Sequence, residues 1–173
     1  MLKAVQGDIT KITDVDAIVN AANKTLLGGG GVDGAIHKAA GIGLKLECMK
    51  LKGCKTGEAK ITGAHKLPFQ FIIHTVGPIW HGGNSNEETA LSQCYYSSMR
   101  LAKENGVRKI AFPSISTGVY HFPVQLAAQI AIRTVGNFLK ENPGFFELVE
   151  WVLFDQNTWD IYNREIEDYY KES

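Results

Sequence analysis

Apolar residues along this chain fall into short strand-like runs separated by longer stretches of helical period. Leu2–Val5 and Ala17–Val19 read as strands, the second leading into Asn20-Ala21-Ala22-Asn23. Ile36, Ala40, Leu44 and Cys48 recur at every fourth position, which predicts a helix over Gly34–Met49. Gly41 and Gly43 lie inside that helix and should weaken or bend it. Ala59–Gly63 and Phe71–Val76 read as strands, the latter closed by Pro78. Ser85 and Glu88 fit a capping box ahead of a helix whose apolar face carries Leu91, Cys94, Tyr95, Ser98 and Ala102. Asn105-Gly106 then supplies a left-handed stop. Lys109–Phe112 is a strand, and Pro123 opens a helix presenting Leu126, Ile130, Ala131 and Phe138. After the Asn142-Pro143-Gly144 break come a strand buried on both faces, Leu148–Phe154, and a final helix, Thr158–Tyr170. Strands alternating with helices imply βαβ crossovers and a three-layer α/β domain. Ligands of such sheets bind outside the carboxyl ends of the strands.

Composition narrows the class. The 173 residues suit one domain over 1–173, large enough to hold a core without a disulfide or metal. Lys plus Arg and Asp plus Glu are both 18, so no global field draws the chain to nucleic acid or to an anionic membrane. The N-terminus lacks signal-peptide character and no run suggests a membrane helix. Cys48, Cys54 and Cys94 form no C-x-x-C pair, which suggests reduced thiols in or near the core and a cytoplasmic setting. The five histidines show neither H-E-x-x-H nor zinc spacing, so neither a catalytic metal nor a cofactor is expected. Absence of G-x-S-x-G and of G-x-x-x-x-G-K-[ST] disfavours a serine hydrolase and a P-loop nucleotidase.

Two loops carry the candidate chemistry. The first runs from Asn20 and Asn23 through Gly28-Gly29-Gly30-Gly31-Val32-Asp33-Gly34 into a helix start. Four glycines in a row let successive N–H groups converge on an anion, and the helix dipole adds to the attraction. Gly29, Gly31 and Gly34 match G-x-G-x-x-G but begin too far beyond the strand for a standard dinucleotide turn. Asp33 stands out, because a carboxylate in an anion cradle repels the anion unless it has separate work. It either caps the helix or orients or deprotonates a water. Asn20 and Asn23 either close the strand end by Asx hydrogen bonds or reach a sugar hydroxyl. The second loop, Pro113-Ser114-Ile115-Ser116-Thr117-Gly118-Val119-Tyr120, offers further N–H donors, with Tyr120 at the pocket lip. Two donor loops at adjacent strand ends suit a diphosphate. Gly7-Asp8-Ile9-Thr10 reads by itself as a capped strand end.

Together, Val5–Thr10, Asp16–Asn23, Gly28–His37, His74-Thr75-Val76-Gly77-Pro78 and Ser114–Tyr120 resemble the MacroD-type branch of the macrodomain family, over essentially the whole chain. The resemblance implies a three-layer α/β/α fold with a mixed sheet of about six strands. It implies an ADP-ribose cleft in which Asp8 accepts from the adenine amino group beside Ile9. Gly30, Gly31, Val32, Gly34 and the loop Ser116, Thr117, Gly118, Val119 and Tyr120 would wrap the diphosphate and distal ribose. Asn20 would join the substrate-binding set, Asn23 would hold the ribose, and Asp33 would act on the water. The implied activity is removal of mono-ADP-ribose from acidic side chains of proteins and deacetylation of O-acetyl-ADP-ribose. A non-catalytic ADP-ribose-binding module is the alternative. Expected partners are ADP-ribose, O-acetyl-ADP-ribose and mono-ADP-ribosylated proteins, with no membrane and no nucleic acid. The sequence departs from the family at Lys24-Thr25, where Pro-Ser is frequent, and matches only loosely at Phe154–Asn157.

Overall fold

The computed structural model describes residues 1–173. Strands are β1 (Leu2–Gln6), β2 (Ala17–Ala22), β3 (Ala59–Gly63), β4 (Phe71–Val76), β5 (Lys109–Phe112) and β6 (Leu148–Leu153). They form one sheet in the order β1-β6-β5-β2-β4-β3. Every pairing is parallel except β3 with β4, so the sheet is mixed, with its antiparallel strand at one edge. Helices α1 (Gly31–Ala40) and α2 (Ile42–Lys50) pack on one face; α3 (Glu87–Glu104), α4 (Val124–Glu141) and α5 (Gln156–Glu172) cover the other.

Alternation along each strand divides the core in two. In β6, Val149, Trp151 and Leu153 point into the larger cluster with Tyr95, Phe112 and Tyr162, while Val152 joins the smaller one with Ile18, Ile36 and Leu44. Burial on both faces explains why these strands read as continuous apolar runs. Glu150 is one exception, a fully buried carboxylate midway along β6.

Four sequence expectations are corrected. The last strand ends at Leu153, and Phe154, expected inside it and buried, is 83% exposed. The helix over Gly34–Met49 is two helices: α1 begins earlier, at Gly31, and breaks at Gly41, whose φ of +86° is readily reached only by glycine. The Ser85–Glu88 capping box does not form. Asn86 is the N-cap of α3, and Glu87 folds back to accept from the N–H groups of His81, Gly83 and Ser85. The second strand extends through Ala22, which places Asn20 inside the sheet rather than in the loop after it.

The sheet also opens where the ligand loops leave it. Strand β2 pairs with β4 over all six of its residues but with β5 only at Ala17 and Ile18. Beyond that point β2 and β5 diverge, α1 following one strand to one face and α4 following the other to the opposite face. A crevice at such a switch point is where open α/β sheets bind ligands.

Candidate active site

The crevice is a cleft of about 410 Å³. One wall is Asn23 with Gly29 to Asp33, the other is Ser114 to Ser116 with Gly118 to Tyr120, and Gly77 at the end of β4 lies between. Backbone donors dominate both walls. The N–H groups of Gly29, Gly30, Gly31 and Val32 bond to no protein acceptor, and neither do those of Ser116 to Tyr120. Intrahelical bonding starts only at Gly34, which donates to the Gly30 carbonyl at 3.2 Å, so the first turn of α1 is open to the cleft.

Local geometry holds these amides in place. Gly31 has φ +58°. A Cβ at Gly34 would stand 2.4 Å from the Gly29 carbonyl oxygen, so only glycine lets the helix start pack on its own entry loop. Opposite, Thr117 Oγ1 shares a 2.7 Å hydrogen bond with Ser114 Oγ, which meets the Tyr162 hydroxyl at 2.8 Å. The Phe122 N–H donates to the Ser116 carbonyl at 2.9 Å, and the Trp80 N–H to that of Tyr120 at 2.8 Å. Ser116 is held at φ +67°, a conformation costly for a residue with a Cβ, and its buried hydroxyl has no partner. It packs over Gly77, where a Cβ would stand 2.1 Å from Ser116 Oγ.

Asp33 sits in the third position of α1, 5% exposed. Its Oδ1 accepts from Asn20 Nδ2 at 2.8 Å, and His37 Nε2 lies 3.4 Å from the same oxygen, a contact without hydrogen-bond geometry. Oδ2 faces Gly29 and the Asn23 amide: a Cβ on Gly29 would be 3.2 Å from Oδ2 and 3.3 Å from Asn23 Nδ2. Burial raises the Asp33 pKa, opposed by the Asn20 hydrogen bond and by His37. Asn20 is held from behind, its Nδ2 lying 3.2 Å from His74 Nδ1. His74 Nε2 is 2.9 Å from Thr62 Oγ1. Burial and neighbouring His37 hold His74 down at about 3, so the ring is neutral.

The sequence-derived residues divide accordingly. Asn23, Gly30, Gly31, Val32, Asp33, Ser116, Gly118, Val119 and Tyr120 line the cleft together. Asn23 also orders its own loop, with Oδ1 accepting from Thr25 and Leu26 and Nδ2 donating to the Gly28 carbonyl at 2.9 Å. Asn20, Gly34 and Thr117 stand behind the lining as supports. Asp8 and Ile9 follow β1, outside the lining. One Asp8 oxygen accepts from the Thr10 N–H at 2.9 Å and hydroxyl at 2.6 Å, which lowers its pKa, while Ile9 is buried. The Gly7 N–H donates to the Leu153 carbonyl at 3.0 Å, so Phe154, 83% exposed, leaves the sheet at the same end as Asp8. Sequence reasoning gave no role to Phe154, Gly77 or His37. An aromatic closing the apolar run of the last strand was a signal for the first; Gly77 falls in the His74–Pro78 segment of the resemblance without a role, and its need arises from Ser116 across the cleft. No group of three His, Cys, Asp or Glu side chains is placed to hold a metal ion, and no helix is long and apolar enough to cross a membrane.

A mixed sheet between two helical layers, with paired amide loops at its switch point and a carboxylate between them, defines an anion-binding α/β domain. Comparison with known proteins is specific. The Macro domain family matches residues 19–131. The macro domain-containing protein CT2219 of Chlorobaculum tepidum is 55% identical over 95% of this chain and 94% of its own. ADP-ribose glycohydrolase MACROD2 of Xenopus laevis is 50% identical over 95% of this chain, which spans 40% of that protein. An Oceanobacillus iheyensis macrodomain solved with ADP superposes with a TM-score of 0.93 at 45% identity, covering 99% of this chain and 93% of that one. A Trypanosoma brucei macrodomain in complex with ADP-ribose gives 0.89 at 39%, covering 95% and 68%. This chain belongs to the Macro domain family.

Proposed function

We propose that the protein binds ADP-ribose in this cleft and hydrolyses mono-ADP-ribose from acidic side chains of proteins, with O-acetyl-ADP-ribose as a second substrate. The observation that carries this reading is Asp33, a buried carboxylate fixed at one oxygen and the one acidic side chain lining a cleft rich in open backbone N–H donors. A site for binding alone would gain affinity by replacing that carboxylate with a neutral side chain, because its charge repels a diphosphate. Solved relatives holding ADP or ADP-ribose support the ligand, and the relative named as an ADP-ribose glycohydrolase supports the reaction.

In the proposed mechanism the open amides of Gly29–Val32 and Ser116–Tyr120 hold the diphosphate, and Asn23 holds the distal ribose. Phe154 offers a face for adenine, with the free oxygen of Asp8 accepting from the amino group. Asp33 Oδ2 orients a water on the ester that joins the ribose to a glutamate or an acetyl group. Water adds to the ester, the ribose–carboxylate bond breaks, and a free carboxylic acid and a ribose hydroxyl result. Holding water and ester together supplies much of the acceleration, since well-oriented reactants can gain up to about 7–11 kcal/mol.

The test is turnover of a glutamate-linked mono-ADP-ribosylated protein in ¹⁸O water. Release of ADP-ribose is the expected result; label in the sugar marks attack at the ribose carbon, and label in the glutamate marks attack at the acyl carbon. Tight ADP-ribose binding with no release would instead identify a binding module.

A further inference from the structure

Thr62 on β3, His74 on β4, Asn20 on β2 and Asp33 on α1 form an unbroken polar line through the core. None is more than 5% exposed. Sheet register makes the line possible: Asn20 and His74 are direct partners across β2 and β4, and Thr62 is the diagonal neighbour of His74 across β3 and β4.

The chemistry of the groups fixes every proton. A carboxylate only accepts and an amide nitrogen only donates, so one Asn20 hydrogen goes to Asp33 Oδ1 at 2.8 Å and the other to His74 Nδ1 at 3.2 Å. Turning the amide over would set its oxygen against the carboxylate, two acceptors face to face. Nδ1 must therefore be bare and Nε2 protonated. Nε2–H donates to Thr62 Oγ1 at 2.9 Å, and the Thr62 hydroxyl donates to the Gly63 carbonyl at 3.0 Å. Cys48 Sγ, 3.9 Å from Nε2, is too distant to compete. The line ends on a backbone carbonyl at one side and on Asp33 at the other. The Asn20 oxygen is the one atom left buried without a partner, so the amide's orientation rests on these two donations.

We propose that His74, locked as its Nε2–H tautomer by Thr62, is a positioning residue that holds the Asn20 amide and through it aims Asp33 into the cleft. His74 does not line the cleft and touches no reacting atom. Four buried polar side chains could be replaced by well-packed apolar ones at little cost to stability, whereas breaking one link leaves the rest unsatisfied. Their retention directly behind the one carboxylate facing the cleft is explained by aim. With one oxygen held by Asn20, the carboxylate group is oriented so that its other oxygen lies on the side of Asn23 and Gly29.

This inference rests on the hydrolase reading, and its test separates the two. His74→Phe keeps the ring and removes the acceptor, while His74→Asn restores an acceptor near the Nδ1 position. The expected result for His74→Phe is a loss of about ten-fold or more in kcat, since a misplacement of ~1 Å can cost about 10²-fold. Its KM and its calorimetric affinity for ADP-ribose should stay near wild type, and His74→Asn should recover most of the lost kcat. Wild-type kcat in His74→Phe, equal losses of kcat and affinity, or an Asn variant no better than Phe would each overturn the proposal. Imidazole nitrogen NMR on the wild-type protein provides a check needing neither turnover nor a buried substitution. It should show a proton on Nε2 and none on Nδ1; a proton on Nδ1 overturns the proposal. If the wild type proves inactive, the hydrolase reading falls, and the line of hydrogen bonds is then judged on those nitrogen signals alone.

Discussion

Glu150 offers a quantitative test of how the sheet is built. It sits midway along β6, in register with Lys3 of β1 and Ala111 of β5, wholly buried, with neither carboxylate oxygen hydrogen-bonded. Burial raises its pKa from 4.5 to about 7, the Asp14 carboxylate adds to the rise, and Lys3 opposes it. Between those values the folded protein keeps a proton that the unfolded chain has released, so stability falls as pH rises from about 4.5 to about 7. At about 1.36 kcal/mol per unit, the full loss above pH 7 is on the order of 3 kcal/mol. Glu150→Gln replaces the buried acid with a neutral group of the same shape. Urea unfolding at pH 4 should find variant and wild type alike, and at pH 8 the variant should be more stable by an amount of that order. An equal difference at both pH values would refute the reasoning, because burial of charge would then not be what the glutamate costs.

Other outcomes follow from the cleft. Asp33→Ala should retain ADP-ribose binding by calorimetry and lose at least about 10²-fold in hydrolysis, the lower range for an acid–base group; unchanged turnover would remove Asp33 from the mechanism. Gly31→Glu should abolish ADP-ribose binding. At φ +58° it carries about 1–2 kcal/mol of backbone strain and sets a charge among the open amides. Normal affinity in that variant would contradict the cradle. Glu87, held down at about 2 by three backbone donors, should contribute stability at neutral pH that is lost as pH falls from about 4.5 toward 2. Thermal scans of Glu87→Gln should therefore show a lowered Tm at pH 7 and a flatter acid limb; an unchanged Tm would show that those amides have other partners.

Much of this molecule is legible along the chain because its chemistry is local. Periodicity marks the strands and most of the helices, and the glycine run with Asp33 marks the cradle, since backbone donors need the absence of side chains. What escapes the sequence depends on register. Asn20 reads as a loop residue until the strand is seen to continue through Ala22, which sets its amide against Asp33, behind the cleft lining. Gly77 and Ser116 constrain each other across the cleft from distant strands. The Ser85–Glu88 signal fails because neighbouring Glu87 satisfies three loop amides at once, a tertiary gain exceeding a local capping pattern. His74 reads as one residue of an apolar strand, and only its alignment with Asn20 and Thr62 gives it a task.

The central claim, that peptide N–H groups of two loops grip a diphosphate while Asp33 faces the distal sugar, is tested most directly by following backbone amide resonances during an ADP-ribose titration. The amides of Gly29 to Val32 and Ser116 to Tyr120 should move most, and adding salt should weaken binding only modestly because no lysine or arginine lines the cleft. Shifts centred elsewhere, or an affinity that collapses with salt, would contradict it.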